Sequence, residues 1–166
     1  MLLEDAIKKL KVIIGKPVRY ITRSVNIINL GIGNTYQKKT KKGVMYEVAE
    51  FALHIQSPFR LTENEDIILG SDDLWVEPKS DLSKGMNEDK HSYFYFRTIY
   101  TANEIKNQNI EDVMINDFGD LVVCMGKFKL IVFNLNSSSE LETWRFFKTK
   151  CDEPHVVCYG NRFFEE

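Results

Sequence analysis

The chain has 166 residues, of which 43% are hydrophobic and 28% are charged, and its net charge is −2. This hydrophobic fraction predicts a single folded domain over residues 1–166 and excludes an intrinsically disordered chain. The near-neutral total excludes a wholly basic nucleic-acid binder, and no hydrophobic run approaches the roughly 20 residues needed to span a bilayer.

The first third of the chain predicts one helix followed by strands. Residues 2–13 repeat hydrophobic side chains at i, i+3/i+4 and i+7, which is the spacing of an amphipathic helix, and Gly15 ends it. Residues 19–32 predict a strand whose hydrophobic phase changes near Ile27, and a β-bulge is the expected cause. The glycines and lysines of residues 31–43 predict a turn or a long hairpin tip.

The middle of the chain predicts two strands, a loop and a helix. Residues 45–56 are the clearest strand, since hydrophobic and polar residues alternate along them, and Pro58 ends or bends this strand. Residues 66–70 predict a further strand, and the polar residues 77–92 predict a surface loop. The residues that follow fit either a helix or a buried strand, and we favour a helix over 94–107.

The last third of the chain predicts a β-meander. Polar turns separate its strands, which cover residues 113–115, 121–125, 128–134, 142–148 and 155–159. Residues 25–70 and 113–148 give strands and turns in a similar order, which indicates either a duplicated β unit or the ordinary appearance of a meander. The predicted fold class is α+β, with mostly antiparallel β-meander sheets, an N-terminal helix and a middle helix.

Charge is distributed unevenly along the chain. Residues 1–60 contain 11 Lys and Arg against 4 Asp and Glu, a net +7, whereas residues 61–120 contain 5 against 14, a net −9. Such asymmetry is typical of a surface that binds a partner of opposite charge. The alternative is that the two segments face each other across the fold.

Lysines beside Tyr36 form a basic patch in residues 36–42, consisting of Lys38, Lys39, Lys41 and Lys42. With Arg60 they are a candidate phosphate-binding site. Lysines at a hairpin tip more often stay solvated and protect strand edges from unwanted pairing. Because the signatures of RNA-binding modules are missing as well, we do not expect nucleic acid as a partner and keep it only as an alternative.

Cysteine and histidine near the end of the chain are the candidate metal ligands. Cys151, His155 and Cys158 supply three potential zinc ligands, with Cys124 as a potential fourth from a neighbouring strand. Thiols at strand ends and a histidine in a turn are the better interpretation, and the pair Asp72–Asp73 fits an acidic turn. We therefore expect neither a metal nor a cofactor.

The sequence predicts a cytoplasmic protein without membrane attachment. Three cysteines without framework spacing indicate reduced thiols, and the first residues lack the charge order and cleavage site of a secretory signal. The glycine-rich and nucleophile motifs of nucleotide-binding proteins and hydrolases are missing. No catalytic residue can be nominated from the sequence.

Two blocks of the sequence resemble a small uncharacterised bacterial protein family. Its members carry an Ala-Leu-His-hydrophobic-Gln-Cys-Pro-Trp-Arg segment with a following Gly-Ser-x-Asp, and a later Trp-Arg-Phe-Phe segment followed by Asp-Glu-Pro-His. The matching residues here are Ala52, Leu53, His54, Gln56, Pro58, Arg60, Gly70, Ser71, Asp73, Trp144, Arg145, Phe146, Phe147, Asp152, Glu153, Pro154 and His155. Ser57 and Phe59 stand where Cys and Trp are usual, which puts any chemistry of that Cys in doubt. The family has no assigned activity, so the resemblance implies kinship alone.

Polar residues in these two blocks predict one site where the two halves of the chain meet. It would be either a ligand or interface site or a buried network that holds the halves in register. The candidate residues are His54, Gln56, Arg60, Asp73, Trp144, Arg145, Glu153 and His155.

Three functional hypotheses follow from the sequence. The leading one is a non-enzymatic binding protein, for example an immunity protein that neutralises a basic toxin with residues 61–120 and their loop at 77–92. The second is a small-ligand-binding protein or enzyme, which requires one concave pocket lined by His54, Arg60, Arg145 and His155. The third is nucleic-acid binding through residues 36–42.

Overall fold

A computed structural model describes residues 1–75, 100–134 and 141–166. These residues form two antiparallel sheets with an N-terminal helix and a small middle helix, so the predicted α+β class is confirmed. The elements in chain order are α1 (Leu3–Leu10), β1 (Val18–Ser24), β2 (Ile27–Lys39), β3 (Met45–Ile55), β4 (Phe59–Glu63), β5 (Asp66–Gly70), α2 (100–105), β6 (Asp112–Ile115), β7 (Leu121–Met125), β8 (Phe128–Val132), β9 (Glu142–Lys148), β10 (Val156–Tyr159) and β11 (Arg162–Glu165).

The two sheets share one hydrophobic core. The six-stranded sheet has the order β1-β2-β3-β9-β10-β11, and the five-stranded sheet has the order β5-β4-β8-β7-β6. The chain passes from the first sheet to the second near Pro58, between β3 and β4, and β9 is back in the first sheet. Side chains of both sheets and of α1 belong to one buried cluster, to which β3 contributes Phe51, Leu53 and Ile55.

The helix α1 bridges the two sheets at one side of the core. It lies against β6 and β11, which are edge strands of the five-stranded and the six-stranded sheet. Ala6 and Leu10 are one turn apart on its buried face. The predicted helix over residues 2–13 is an α-helix only to Leu10, and Lys11–Ile13 continue it as a single 3-10 turn.

The prediction of one strand over residues 19–32 is wrong, because the chain reverses within it. β1 and β2 are two antiparallel strands joined by a turn at Val25, which has a φ of 53°. The change of hydrophobic phase near Ile27 therefore comes from a reversal rather than a bulge. A β-branched residue rarely adopts positive φ, so the sequence gives no turn signal at this position.

The predicted turn over residues 31–43 is also wrong in its extent. β2 continues to Lys39, and the chain turns only between residues 40 and 44. A bulge between Ile32 and Thr35 interrupts the pairing of β2 with β3, and Gly33 next to it has a φ of 90°. Gly33 therefore serves a bulge within a long strand rather than a loop, whereas Gly31 is regularly paired and leaves room for the ring of Tyr20.

Most of the remaining predicted strands are confirmed. Those over 45–56, 66–70, 113–115, 121–125 and 142–148 correspond to β3, β5, β6, β7 and β9, while β8 and β10 match all but the ends of the predictions for 128–134 and 155–159. The strands β4 and β11 are additional to the prediction. Of the predicted helix over 94–107, residues 100–105 are helical. The start of that helix and the loop at 77–92 lie outside the described residues.

The last third of the chain is not one continuous meander. β6, β7 and β8 form a meander in the five-stranded sheet, and β9, β10 and β11 form another in the six-stranded sheet. Residues 25–70 place two strands in each sheet, whereas residues 113–148 place three in one and one in the other. The two segments thus share an order of strands along the chain but not an arrangement in space.

Candidate functional site

Parts of the two sequence blocks that carry the family resemblance lie on neighbouring strands, β3 and β9. β3 pairs with β9, and the register places His54 opposite Arg145 and Ala52 opposite Phe147. Opposite residues on paired strands project from the same face of a sheet. His54 and Arg145 therefore share one face of the six-stranded sheet. It is the outer face, because the alternate residues of both strands belong to the core, namely Leu53, Ile55, Trp144 and Phe146.

Arg145 is the centre of a charged network on this outer face. Its Nε and Nη2 donate to the two carboxylate oxygens of Glu142 at 3.1 and 2.8 Å, and Nη2 also donates to Glu166 at 3.0 Å. Its Nη1 lies 3.1 Å from Nδ1 of His155. A guanidinium can only donate, so Nδ1 accepts this bond and the neutral imidazole carries its proton on Nε2.

Phe147 lies between two imidazole rings in the same cluster. Its ring stacks on His155 with the centroids 4.3 Å apart and meets His54 edge-on at 4.9 Å. Burial is the largest cause lowering the pKa of both histidines, and the cation of Arg145 lowers both further against the opposing effect of Glu142. Both rings are therefore neutral near pH 7.

The bonding of Arg145 limits what this cluster can bind. Four of the five N–H groups of the guanidinium already bond to Glu142, Glu166 and His155. An anionic ligand would have to displace one of these partners. The hydrogen bonds of Arg145 instead connect β9 to His155, which precedes β10, and to Glu166, which follows β11.

Two predicted site residues belong to other environments. Arg60 lies on β4 in the five-stranded sheet, with its guanidinium 4.9 Å from the ring centroid of Phe133. Trp144 is fully buried, and its indole Nε1 donates to the carbonyl of Gly119 at 2.9 Å. The expectation that both residues join His54 and Arg145 is therefore corrected.

The other three predicted residues also stay outside the cluster. Asp73 accepts a hydrogen bond from the backbone N–H of Gly70 at 2.8 Å and so supports the turn after β5. Gln56 is exposed, and Glu153 is exposed with its carboxylate 3.8 Å from the ammonium of Lys148. Of the eight predicted residues, the structure thus brings together His54, Arg145 and His155.

The candidate metal ligands point in different directions. Cys158 faces the core, where its Sγ lies 3.1 Å from the carbonyl of Gly160, whereas His155 faces Arg145 on the outer face. Burial raises the pKa of the Cys158 thiol to about 11. Within the described residues, no group of three or more His, Cys, Asp and Glu side chains could hold a metal ion.

Sequence reasoning missed Glu142, Phe147 and Glu166 as members of the cluster. Residues three apart on a regular strand face opposite sides, so Glu142 is not predicted to contact Arg145. A shift in the pairing of β9 with β10 beside Glu142 allows this contact. Phe147 could have been identified, because it lies two residues after Arg145 and therefore on the same face.

Acidic side chains collect at one end of the five-stranded sheet. The β4–β5 and β7–β8 turns lie side by side there, since the N–H of Asn64 donates to the carbonyl of Lys127 at 2.7 Å. The start of β6 lies at the same end. So does α2, because its Glu104 adds to the effect of Glu63 in raising the pKa of the Lys127 ammonium. We call this surface the acidic end and define it as Glu63, Glu65, Asp66, Glu104, Glu111 and Asp112.

The predicted basic patch lies on a projecting two-stranded ribbon. β1 pairs with β2 only as far as Ile32, and β9 pairs with β3 only from Phe51 onward. Beyond these points, residues 35–39 and 45–49 pair with each other, and every residue from 37 to 47 is exposed. We call residues 35–49 the β-ribbon; it carries Lys38 and Lys39 on a strand and Lys41 and Lys42 in the turn.

None of the helices in the described parts of the chain is long and hydrophobic enough to cross a membrane. The chain matches no family model, no curated protein and no solved structure. The resemblance of its two sequence blocks to a bacterial family therefore stays a prediction.

Proposed function

We propose that this protein binds another protein and that the acidic end contacts a basic surface of that partner. The observation that carries the proposal is an excess of unpaired carboxylates. Glu63 pairs with Lys127. Four exposed carboxylates form no ion pair with any described residue, namely Glu65, Asp66, Glu104 and Glu111. Clustered charges of one sign accelerate encounter with an oppositely charged partner and orient it.

The negative charge of the middle third comes from described residues rather than from residues 76–99, which include the predicted loop. The described residues between 61 and 120 contain 10 Asp and Glu against one Lys, a net −9, whereas residues 76–99 contain 4 acidic and 4 basic residues. Because the backbone that carries these carboxylates is already ordered, a partner would have to immobilise only their side chains. This supports a preformed binding surface.

The basic first third of the chain leaves these carboxylates available. Among described residues, the ion pairs of residues 1–60 are Lys9 with Glu165 and Lys16 with Glu50, and neither reaches the acidic end. This argues against neutralisation of the acidic end by the described basic residues of the first third. It favours a partner that supplies the missing positive charge.

The polar cluster on the outer face supports an enzyme or a small-ligand site less well. Arg60 lies in the other sheet, so it does not share a pocket with Arg145 and His155. The guanidinium of Arg145 is already occupied by carboxylates. We therefore assign this cluster a role in holding β9, β10 and β11 together.

The more specific form of the proposal is a bacterial, cytoplasmic immunity protein that neutralises a toxin with a basic active site. Enzymes that act on nucleic acids present clustered Lys and Arg to phosphates. A carboxylate surface can cover such a site by the same attraction. Cytoplasmic residence fits the three cysteines, all of which are free thiols.

A charge-neutralised variant tests the proposal. Each basic protein encoded by the neighbouring genes is titrated with the wild-type chain and with a variant in which the four unpaired carboxylates become amides (Glu65→Gln, Asp66→Asn, Glu104→Gln and Glu111→Gln). The control variant makes the same change in charge at exposed carboxylates elsewhere (Glu4→Gln, Glu47→Gln, Asp152→Asn and Glu153→Gln). We expect the acidic-end variant to lose at least about tenfold in affinity, mostly through a slower association rate.

Two outcomes would contradict the proposal. One is that no neighbouring basic protein binds the wild-type chain more tightly than polylysine does. The other is that both variants bind as the wild type does. If a partner is toxic when expressed alone, rescue by the wild type and by the control variant, but not by the acidic-end variant, would support the immunity form.

A further inference from the structure

We propose that the β-ribbon binds single-stranded nucleic acid, with its lysines on phosphates and Tyr46 against a base. This surface is separate in sequence from the acidic end and does not depend on the function proposed above. The sequence alone favoured a solvated hairpin tip at these lysines. In the structure, these lysines belong to a ribbon that projects past the neighbouring strands on both sides.

The charge of the β-ribbon is concentrated. Four lysines fall within five consecutive residues, and Glu47 is the one acidic residue of the ribbon. All four lysines are exposed and form no ion pair with a described residue. A nucleic-acid backbone offers phosphates at similarly close intervals, so several lysines can be neutralised together.

Protection of strand edges does not account for the neighbouring hydrophobic residues. Val44, Met45 and Tyr46 are consecutive and exposed to 62%, 55% and 41%. An exposed hydrophobic run of this kind costs solubility unless it contacts a partner. Its position beside the lysines indicates a ligand that combines negative charge with flat hydrophobic groups, as unstacked bases do.

One side of the β-ribbon carries both required groups. Lys38 lies opposite Tyr46, and Tyr36 lies opposite Val48, so these four side chains project from the same side. The ammonium of Lys150 lies 3.5 Å from the ring centroid of Tyr36 and adds a further cation at the base of this side. Alternation of aromatic rings and cations is the usual composition of single-strand binding surfaces.

Fluorescence anisotropy with a labelled oligothymidylate of about 16 nucleotides tests the proposal. We expect binding of the full chain at low salt with a dissociation constant of roughly 10⁻⁴–10⁻⁶ M. Four phosphate contacts give a slope of log K against log salt of about −2.8, hence a loss of about 50-fold between about 50 and 200 mM salt.

Two variants of the β-ribbon separate the contribution of the lysines to binding from that of Tyr46. Changing the four lysines to glutamine (K38Q, K39Q, K41Q and K42Q) should reduce the salt slope to no more than the contribution of Lys150, about −0.7. Tyr46→Ala should weaken binding about tenfold with an unchanged slope. The control removes four exposed lysines elsewhere (K8Q, K11Q, K106Q and K129Q) and should bind as the wild type does. Since all substituted side chains are exposed, unchanged thermal melting identifies correctly folded variants.

Three outcomes would overturn the proposal. The first is equal loss of binding in the ribbon variant and in the lysine control, which would mean a general charge effect. The second is tighter binding of a duplex of equal length. The third is tighter binding of vesicles containing anionic phospholipid or of polyglutamate, which would assign the β-ribbon to a membrane surface or to an acidic protein.

Discussion

Replacing Gly119 with alanine is expected to destabilise the protein more than the same change at Gly15, another turn glycine with positive φ. Gly119 lies in the turn between β6 and β7 with a φ of +84°. An added Cβ would lie 2.8 Å from Nδ2 of Asn134, 2.9 Å from the carbonyl oxygen of Gly160 and 3.0 Å from Sγ of Cys158. These atoms come from both sheets, so the methyl group would press the sheets apart.

The expected loss has two parts. A non-glycine residue in the left-handed region costs about 1–3 kcal/mol. Forcing one more carbon into a packed site costs about 1–3 kcal/mol. The atoms around the added methyl group have little freedom to move away from it. The Gly160 carbonyl belongs to the backbone and already accepts hydrogen bonds from Asn134 and from the Cys158 thiol. The free energy of unfolding should therefore fall by about 2–6 kcal/mol.

Gly15→Ala provides a matched control. Gly15 has a φ of +81°, and no atom lies within 4 Å of an added Cβ, so only the backbone part applies there. Urea unfolding of both variants, with the slope m compared to exclude a change in the unfolded state, measures the two losses. Equal losses for Gly119→Ala and Gly15→Ala would refute the argument from close contacts.

Three further predictions concern groups near this junction and in the polar cluster. Trp144→Phe should cost about 1–3 kcal/mol in urea unfolding, because the carbonyl of Gly119 loses its buried donor; a loss near zero would contradict this. Because the folded state lowers the pKa of His54 and His155 below the usual 6.5, the unfolded state binds more protons once the pH falls to this value. The free energy of unfolding should therefore contain the whole contribution of both histidines above about pH 7, decrease as the pH falls through 6.5, and level off below the folded-state pKa values. Changing both residues to Gln should flatten this part of the pH profile. The Cys158 thiol should be alkylated about 100-fold more slowly at pH 8 in the folded than in the unfolded chain, since its pKa is raised to about 11; equal rates by mass spectrometry would contradict its burial.

The strands that could be predicted from the sequence are those with one buried face. In β3 the large hydrophobic residues Phe51, Leu53 and Ile55 alternate with Glu50, Ala52 and His54, and this period of two predicts both the strand and the face that it buries. The hairpin between β1 and β2 could not be predicted, because Val25 is not a turn-forming residue. Its side chain is 77% exposed, so no burial of this residue compensates for its positive φ. A hydrophobic pattern in the sequence therefore contains no sign of the turn.

Pairing between distant strands had no comparable signal. Backbone hydrogen bonds join β3 to β9 and are the same for any pair of residues. The sequence therefore predicted that polar residues of the two blocks meet, but not the register of the strands that carry them. The burial of Trp144 could have been predicted, since it alternates with Arg145 along β9 and shares the inner face with Phe146. The contact of Arg145 with Glu166 could not, because it depends on where β11 ends.

The pairing of β3 with β9 also sets the order in which the chain can fold. Ile55 pairs with Trp144, which lies far along the chain. The strands β1, β2 and β3 can therefore form a sheet of their own well before β9 has been synthesised. During that interval the outer edge of β3 offers unpaired backbone groups between hydrophobic residues, the condition under which nascent chains associate with one another. Such distant contacts also slow folding, because a long loop must close before they form. The protein is therefore expected to depend on chaperones during synthesis more than its modest size suggests.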